Sequence, residues 1–520
     1  MGRGALFAIF AMAALPAFAQ PASQSAGDTL TVAFAAEPTT IDAARYSAGV
    51  DLYGVSQIFE QLARPGPDGK WMNWLAESWE IKGSKEKPII DVKLRPGVKF
   101  HNGDPLTAED FAFSLERHKN QKISRRAYFH NAVDRIEVVD ELSFRIHFKE
   151  PDSNYVAAYF HLYAMPKKYI ERVGDDEFAR NPIGTGPWKF KSWKAKEEMV
   201  LEAFDDYWNK DFRPTVKNLR IRFIPEDLTR VAAFKTGAVD LIDAVPLSSI
   251  IEFKTLPNTK TATVRTGNNL NLAFPTHMPG NPFINQKVRL AAAHAIDMDA
   301  IIKTVLFGQG ERYAEVAEGA AGYNPNLKPF AYDPKKARQL LTEAGFPRGF
   351  DTPCYNLLTP REPNVKEMGE ALYAYLTAVG IRCKVVGLEY NAWLTFGRRE
   401  RTGAPMDGLF LWMYGHGVPG DPSLAWLSQL HSYMPGTGLG AASYISDPEI
   451  DGLLNDGQRT MDLVERDKIL QKIAALKHER VHSVTTYMPM VTFAWREDKV
   501  DFRPWPAGFW RQLQQVGLKK

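Results

Sequence analysis

LAESWEIKGSKEKPIIDVKLRPGVKFHNGDPLTAEDFAFSLER, residues 75–117, is the stretch that decides how this chain folds. Ile89 to Leu94 and Val98 to Phe100 are short β-rich runs, and Arg95-Pro96-Gly97 between them cannot stay in a ladder. Asn102-Gly103 is a tight-turn dipeptide whose residues both accept positive φ. Thr107 then caps a helix, with Asp110 three residues on as its capping-box partner and Phe111, Phe113 and Leu115 among the apolar positions.

The order of these residues resembles a known family. Ala76-Glu77-Ser78-Trp79, then Leu94-Arg95-Pro96-Gly97-Val98-Lys99-Phe100-His101, then Gly103-Asp104-Pro105-Leu106-Thr107-Ala108-Glu109-Asp110 is similar to the signature of the extracytoplasmic solute-binding proteins of ABC importers, family 5, which take up peptides, nickel, opines and other solutes. Asn181-Pro182-Ile183-Gly184-Thr185-Gly186-Pro187-Trp188 matches that family's glycine-threonine-glycine-proline signature. It lacks the Gly-Lys-Ser/Thr ending of a phosphate-binding loop. Asp205 to Asn209, Phe223 to Glu226 and Ala233 to Asp240 extend the likeness over nearly the whole mature chain. These segments identify a scaffold, not a ligand.

The resemblance implies an α/β fold: a two-lobed periplasmic binding protein of type II, large and cluster C-like, with an extra subdomain in the first lobe. Lobe I is expected to take residues 28–268 plus 490–520, with 61–180 as the smaller subdomain, and lobe II residues 269–489. The chain would cross between lobes near 266–274 and 485–494.

Bulk properties agree with a large soluble protein. A length of 520 residues exceeds one simple core. Apolar content of 45%, charge of 24% and 64 basic against 61 acidic residues give no reason to expect nucleic acid or a membrane surface as partner. Residues 1–19 read as a secretory signal: Arg3, an apolar run from Ala5 to Leu15, and Ala17-Phe18-Ala19 before Gln20. The run is too short for a membrane span, and no cysteine follows the cleavage site to carry a lipid. A periplasmic mature protein is expected.

The second half alternates strand, helix, strand: Thr352 to Leu358, Val365 to Val379, Ile381 to Leu388. That alternation argues for an α/β unit with a partly parallel sheet. Cys354 and Cys383 fall in these two strands. In an oxidising compartment they either bond, if the strands are parallel neighbours, or stay two buried thiols; geometry decides. Asp333-Pro334 marks a helix start and Gly345 its stop, Asp297 caps another helix, and Leu463 to His482 reads as one helix.

A cleft between lobes would enclose the ligand. Arg361, in Leu358-Thr359-Pro360-Arg361-Glu362-Pro363-Asn364, resembles the arginine that takes the ligand carboxylate in dipeptide-binding members. A guanidinium fork and an adjacent helix start suit a carboxylate; the alternative is a solvated loop arginine. Leu411 to Pro422 matches a segment where tryptophan, then aspartate three residues on, line the cleft of peptide binders. Here the third residue after Trp412 is Gly415, which puts a peptide-amine site in doubt. His416 or Asp421 can substitute, although Asp421-Pro422 also reads as a turn. Trp412 and Tyr414 can stack on a flat or sugar-like solute or simply pack in a core. Tyr46 and Thr185 are first-lobe candidates placed by the resemblance.

One motif points to another class. His478-Glu479-Arg480-Val481-His482 is a literal H-E-x-x-H on an expected helix, where two histidines at i and i+4 share a face and can hold zinc, with Glu479 as general base. A third ligand is required; Glu497 is the nearest acid, but Pro489 and a strand-like run separate it from the helix, and no GxSxG element is present. The expectation is a monomeric, non-enzymatic binding protein without cofactor. It would deliver a peptide or other carboxylate-bearing solute to an inner-membrane ABC permease. An opine-like, glycosidic or aromatic solute is the alternative ligand, and a zinc metallohydrolase the alternative class.

Overall fold

The computed structural model describes residues 28–46, 49–66, 71–124, 127–153, 155, 162–358, 363–397, 406–415, 421–435, 439–440, 442–504, 513 and 516–519. The chain enters through strand β1 (Thr29–Phe34) and a short helix, α1 (Leu52–Ile58). It then builds a small body from the hairpin β2 (Ala63–Pro65) and β3 (Trp71–Asn73) and an antiparallel sheet of β4 (Ala76–Gly83), β5 (Pro88–Leu94), β6 (Val133–Val138) and β7 (Ser143–Phe148), ordered β4-β5-β7-β6. Helix α2 (Ala108–Lys119) seats Ala108, Phe111 and Leu115 against Ile90, Val92, Phe144 and Ile146 of that sheet. Its start is the expected capping box: the Thr107 backbone N–H and hydroxyl donate to Asp110 at 2.9 and 2.8 Å. The run Val98 to Phe100 is not a strand but one arm of a turn bridged by Lys99 and Pro105, and only Gly103 takes a positive φ.

The rest of the chain makes one twelve-stranded mixed sheet among the described residues, and a separate two-stranded one pairs Val500–Phe502 with Val516–Leu518 near the end. Its members are β1, β8 (Trp188–Lys194), β9 (Glu198–Ala203), β10 (Asn218–Phe223), β11 (Leu241–Ile242), β12 (Thr259–Arg265), β13 (Asn268–Ala273), β14 (Gly310–Glu311), β15 (Phe350–Leu357), β16 (Ile381–Leu388), β17 (Leu409–Gly415) and β18 (Ser483–Arg496). The order is β16-β15-β17-β13-β18-β11-β1-β10-β9-β8, with β12 and β14 also paired to β18. The 14-residue β18 is the spine. Its first half pairs with β13 and its second half with β12 and β11.

Helix α3 (Val365–Val379) links β15 to β16 in the expected parallel βαβ unit, while α4 (Pro448–Arg459) and α5 (Leu463–Arg480) precede β18. Cys354 and Cys383, on the neighbouring strands β15 and β16, form a disulfide with Cα atoms 5.4 Å apart.

The apolar cores fall in separate groups. One gathers residues from Leu30 to Leu241 together with Val264, Val491, Phe493, Trp495 and the tail residues Val500 to Val516. Another runs from Leu270 to Tyr487, joined by Leu247. A third, from Leu62 to Ala164, belongs to the small body. Among the described residues β12 with β13, and β18, carry the chain between the first two groups, from Val264 to Leu270 and from Tyr487 to Val491.

Candidate functional site

The strands that lead into the candidate loops lie beside the polypeptide that joins the two bodies. β15 and β17 are parallel neighbours, with Cys354 facing Leu409 and Tyr355 facing Phe410, so both deliver their carboxyl ends to the same side. The loop holding Arg361 follows β15, and the stretch holding His416 follows β17. β13 runs antiparallel beside β17 and begins there, its Asn268 opposite Gly415. The carboxyl ends of two strands some fifty residues apart in sequence therefore lie on one side of the sheet beside the first crossing, where open α/β sheets hold ligands. Arg361 and His416 lie outside the described residues, as do residues 1–27, which include the expected signal segment. Of Tyr414 only the backbone, in β17, is described.

Trp412 is placed in the second core. It is 6% exposed and stacks on Trp393 with ring centroids 4.8 Å apart at 18°, with Phe410 at 5.3 Å. Asp421 heads the helix Ser423–Gln429: one carboxylate oxygen accepts from the Ser423 N–H at 2.9 Å and hydroxyl at 2.5 Å. The buried Arg466 guanidinium meets Asp421 from α5 at 2.5 and 3.2 Å. Burial works to raise the Asp421 carboxyl, but Arg466 and the Ser423 bonds more than reverse this and hold it below its ordinary value. Its charge is already answered within its own body.

Tyr46 is buried in the first core, edge-on to Tyr163 at 5.8 Å. Thr185 is fully buried beside Glu60. The two signature segments clasp each other around it. The Gly184 N–H donates to His101 Nδ1 at 3.2 Å, which leaves Nε2 to donate to the Gly186 carbonyl at 2.9 Å; the His101 N–H also donates to the Gly184 carbonyl at 2.9 Å. Glycine is required at both places, since a Cβ would stand 2.1 Å from the Ile58 carbonyl oxygen at Gly184 and 2.5 Å from that of Gln57 at Gly186.

Sequence reading missed Glu60. Its buried carboxylate accepts from the Trp74 indole and the Tyr207 hydroxyl, both at 2.6 Å, and from the Trp208 indole at 3.0 Å. Burial raises its pKa against those bonds. Arg64 lies 3.3 Å above the Trp74 ring. Arg466 and the pair of Glu315 with Lys477 were also missed, because no local pattern links residues so far apart in sequence.

The zinc motif is corrected. α5 ends at Arg480, and Val481 turns into the left-handed region at φ 50°, ψ 50°, so His478 and His482 do not share a helical face. His478 faces Glu315 at 3.1 Å and stacks on Phe330 at 4.3 Å, whereas His482 lies 2.7 Å from Asp447. The Glu479 carbonyl accepts from Gln286. No cluster of three potential metal ligands exists among the described residues.

The sequence matches the family described as bacterial extracellular solute-binding proteins, family 5 middle, over residues 70–431. The chain belongs to this family. Heme-binding protein A of Haemophilus influenzae is 29% identical over 437 residues, covering 78% of this chain and 77% of that protein. The glutathione-binding protein GsiB of Pectobacterium atrosepticum is 30% identical over 414 residues, covering 77% of each. Among solved structures, HbpA2 from Haemophilus parasuis superposes with a TM-score of 0.81 over 95% of this chain and all of that one, at 24% identity. The family 5 fold is two-lobed, and family 5 proteins are the solute-binding partners of ABC importers rather than hydrolases. No helix among the described residues is long and apolar enough to cross a membrane.

Proposed function

We propose that this family 5 protein captures a short peptide or another carboxylate-bearing solute and hands it to an inner-membrane ABC permease without chemical change. Residues 28–268 with 490–520 would form one lobe and 269–489 the other, closing by bending at Thr266–Asn268 and Tyr487–Met490. The observation that carries this is the parallel pairing of β15 with β17 beside the start of β13, which sets both strand ends at the first crossing, where a bound solute would touch both bodies and so favour the shut form. Arg361 would take the carboxylate, with His416 and Tyr414 beside it. Residues 1–19 would direct export to the periplasm without a lipid anchor, and the protein would act as a monomer.

The relatives named for glutathione and dipeptides support this ligand class. A second reading, an opine-like or aromatic solute, is favoured by Gly415 standing where peptide binders carry an aspartate. A structure of AgaA bound to agropinic acid, 26% identical with a TM-score of 0.72, supports it too.

The test is native mass spectrometry of co-purified solute, followed by thermal shift with glutathione, di- and tripeptides, agropinic acid and heme. A peptide or other carboxylate present at 100 times its Kd should add about 2.7 kcal/mol of stability. No upshift with any compound, or turnover of a bound one, would overturn the reading.

A further inference from the structure

The two bodies meet at a second place, remote in sequence from both crossings. Ser153, in the small body after β7, is buried and donates its N–H to the Gln458 carbonyl at the end of α4 at 2.7 Å. Asp152 beside it is also buried. Tyr155 is 1% exposed, packs edge-on against Trp79 of β4 at 5.7 Å, and its hydroxyl lies in the field of Arg466 and Asp462. From the other side Met461, in the link between α4 and α5, packs against the apolar core of the small body. The contact thus combines a backbone hydrogen bond, an apolar plug and a buried phenol, and it joins elements whose own cores are separate.

We propose that the small body is a closure clasp: Asp152, Ser153 and Tyr155 grip the α4–α5 corner at Gln458 and Met461 when the two lobes shut, and release it when they part. Arg466, whose charge is felt at the Tyr155 hydroxyl, also holds Asp421 and Ser423 from α5.

This proposal rests on the two-lobe closure above, but it is tested with no solute present, so a wrong ligand class leaves it standing. Spin labels at Lys87→Cys, on the turn after β4, and Lys472→Cys, on α5, report the separation of the small body from the corner; both native cysteines are already bonded. In the wild-type background the distances should include a short population. Met461→Asp, which sets a carboxylate against an apolar core, should lower the ratio of short to long distances about tenfold. A Ser153→Cys/Gln458→Cys pair, its backbones in hydrogen-bond contact, should oxidise readily and collapse the distribution to the short distance. An unchanged distribution in folded Met461→Asp overturns the clasp. If Met461→Asp does not fold, the cysteine pair decides: failure to cross-link, or cross-linking without loss of the long distances, overturns it equally.

Discussion

His101 and Gly186 are joined by a hydrogen bond of 2.9 Å between the imidazole Nε2 and a backbone carbonyl, and this bond ties the chain's two most legible signatures to each other. The histidine follows the Arg-Pro-Gly turn; the glycine belongs to a turn whose close approach to α1 excludes any side chain. Replacing His101 by Ala strands both the Gly186 carbonyl and the Gly184 N–H in a buried place. A loss of about 2–4 kcal/mol is expected in urea unfolding, with unchanged slope. A loss below about 0.5 kcal/mol would show that the clasped turns stand without it.

The same imidazole makes stability depend on pH. Burial lowers the His101 pKa to about 4, and His130 is lowered to about 4 chiefly by burial as well. In the unfolded chain both would take up a proton near pH 6.5. Between these values the unfolded state holds more protons, so the stabilisation is whole above about pH 6.5 and drains away as pH falls toward 4. Melting temperature should be flat from pH 8 to 7 and then decline, as each of the two histidines withdraws about 2–3 kcal/mol of stability on the way to pH 4. A melting curve that is level down to pH 4.5 would contradict this.

The disulfide between Cys354 and Cys383 fastens β16, the outermost strand of the large sheet, to β15 across a separation of 29 residues. Among the described residues β16 pairs with β15 alone, and it carries Val385 half exposed. Reduction should cost about 3–4 kcal/mol by releasing loop-closure entropy in the unfolded chain. Hydrogen exchange should show β16 amides losing protection before those of β18. Equal protection of β16 with and without reductant would mean that pairing alone secures the edge.

Much of this was legible in the sequence because local chemistry dictated it. Thr107 with Asp110, Asp333 with Pro334, and Asp297 all cap helices where they were expected, since a cap needs only its own next few residues. The end of α5 was not legible. Val481 is β-branched and adopts a left-handed conformation such residues avoid, so periodicity ran the helix on to His482. What stops it is distant: Arg289, from the helix Gln286–Ala295, donates to the Arg480 and Val481 carbonyls at 2.7 and 2.9 Å. The likeness in the Trp412 to Asp421 segment likewise carried no sign of Arg466, which neutralises Asp421 from 45 residues away.

Glu315 and Lys477 form an ion pair almost wholly out of water, beneath the point where β13 and β18 run together. Thr485 of β18 joins them, lying 3.1 Å from Glu315 and 2.9 Å from Asn271 of β13. Burial opposes the Glu315 charge, yet Lys477 and His478 prevail and keep its pKa below the usual value. Lys477→Met takes the buried cation from that carboxylate, leaving it only His478 and Thr485, and should cost about 3–5 kcal/mol. Adding Glu315→Gln should restore most of the loss, because the uncompensated charge is gone. Additive losses in this double-mutant cycle would show that the pair is not coupled.

The ligand side is tested at Arg361. If its guanidinium receives a peptide carboxylate across two parallel N–H bonds, Arg361→Ala should weaken binding of a free-acid dipeptide by about 2–4 kcal/mol. Arg361→Lys should recover only part of this, since an ammonium lacks the planar fork. The C-terminally amidated dipeptide supplies the control: its weaker binding should be the same in wild type and in Arg361→Ala, because the group that the arginine reads is absent. Calorimetry that finds the free acid equally tight in both proteins would remove Arg361 from the site and leave His416 and the β17 segment to hold the solute.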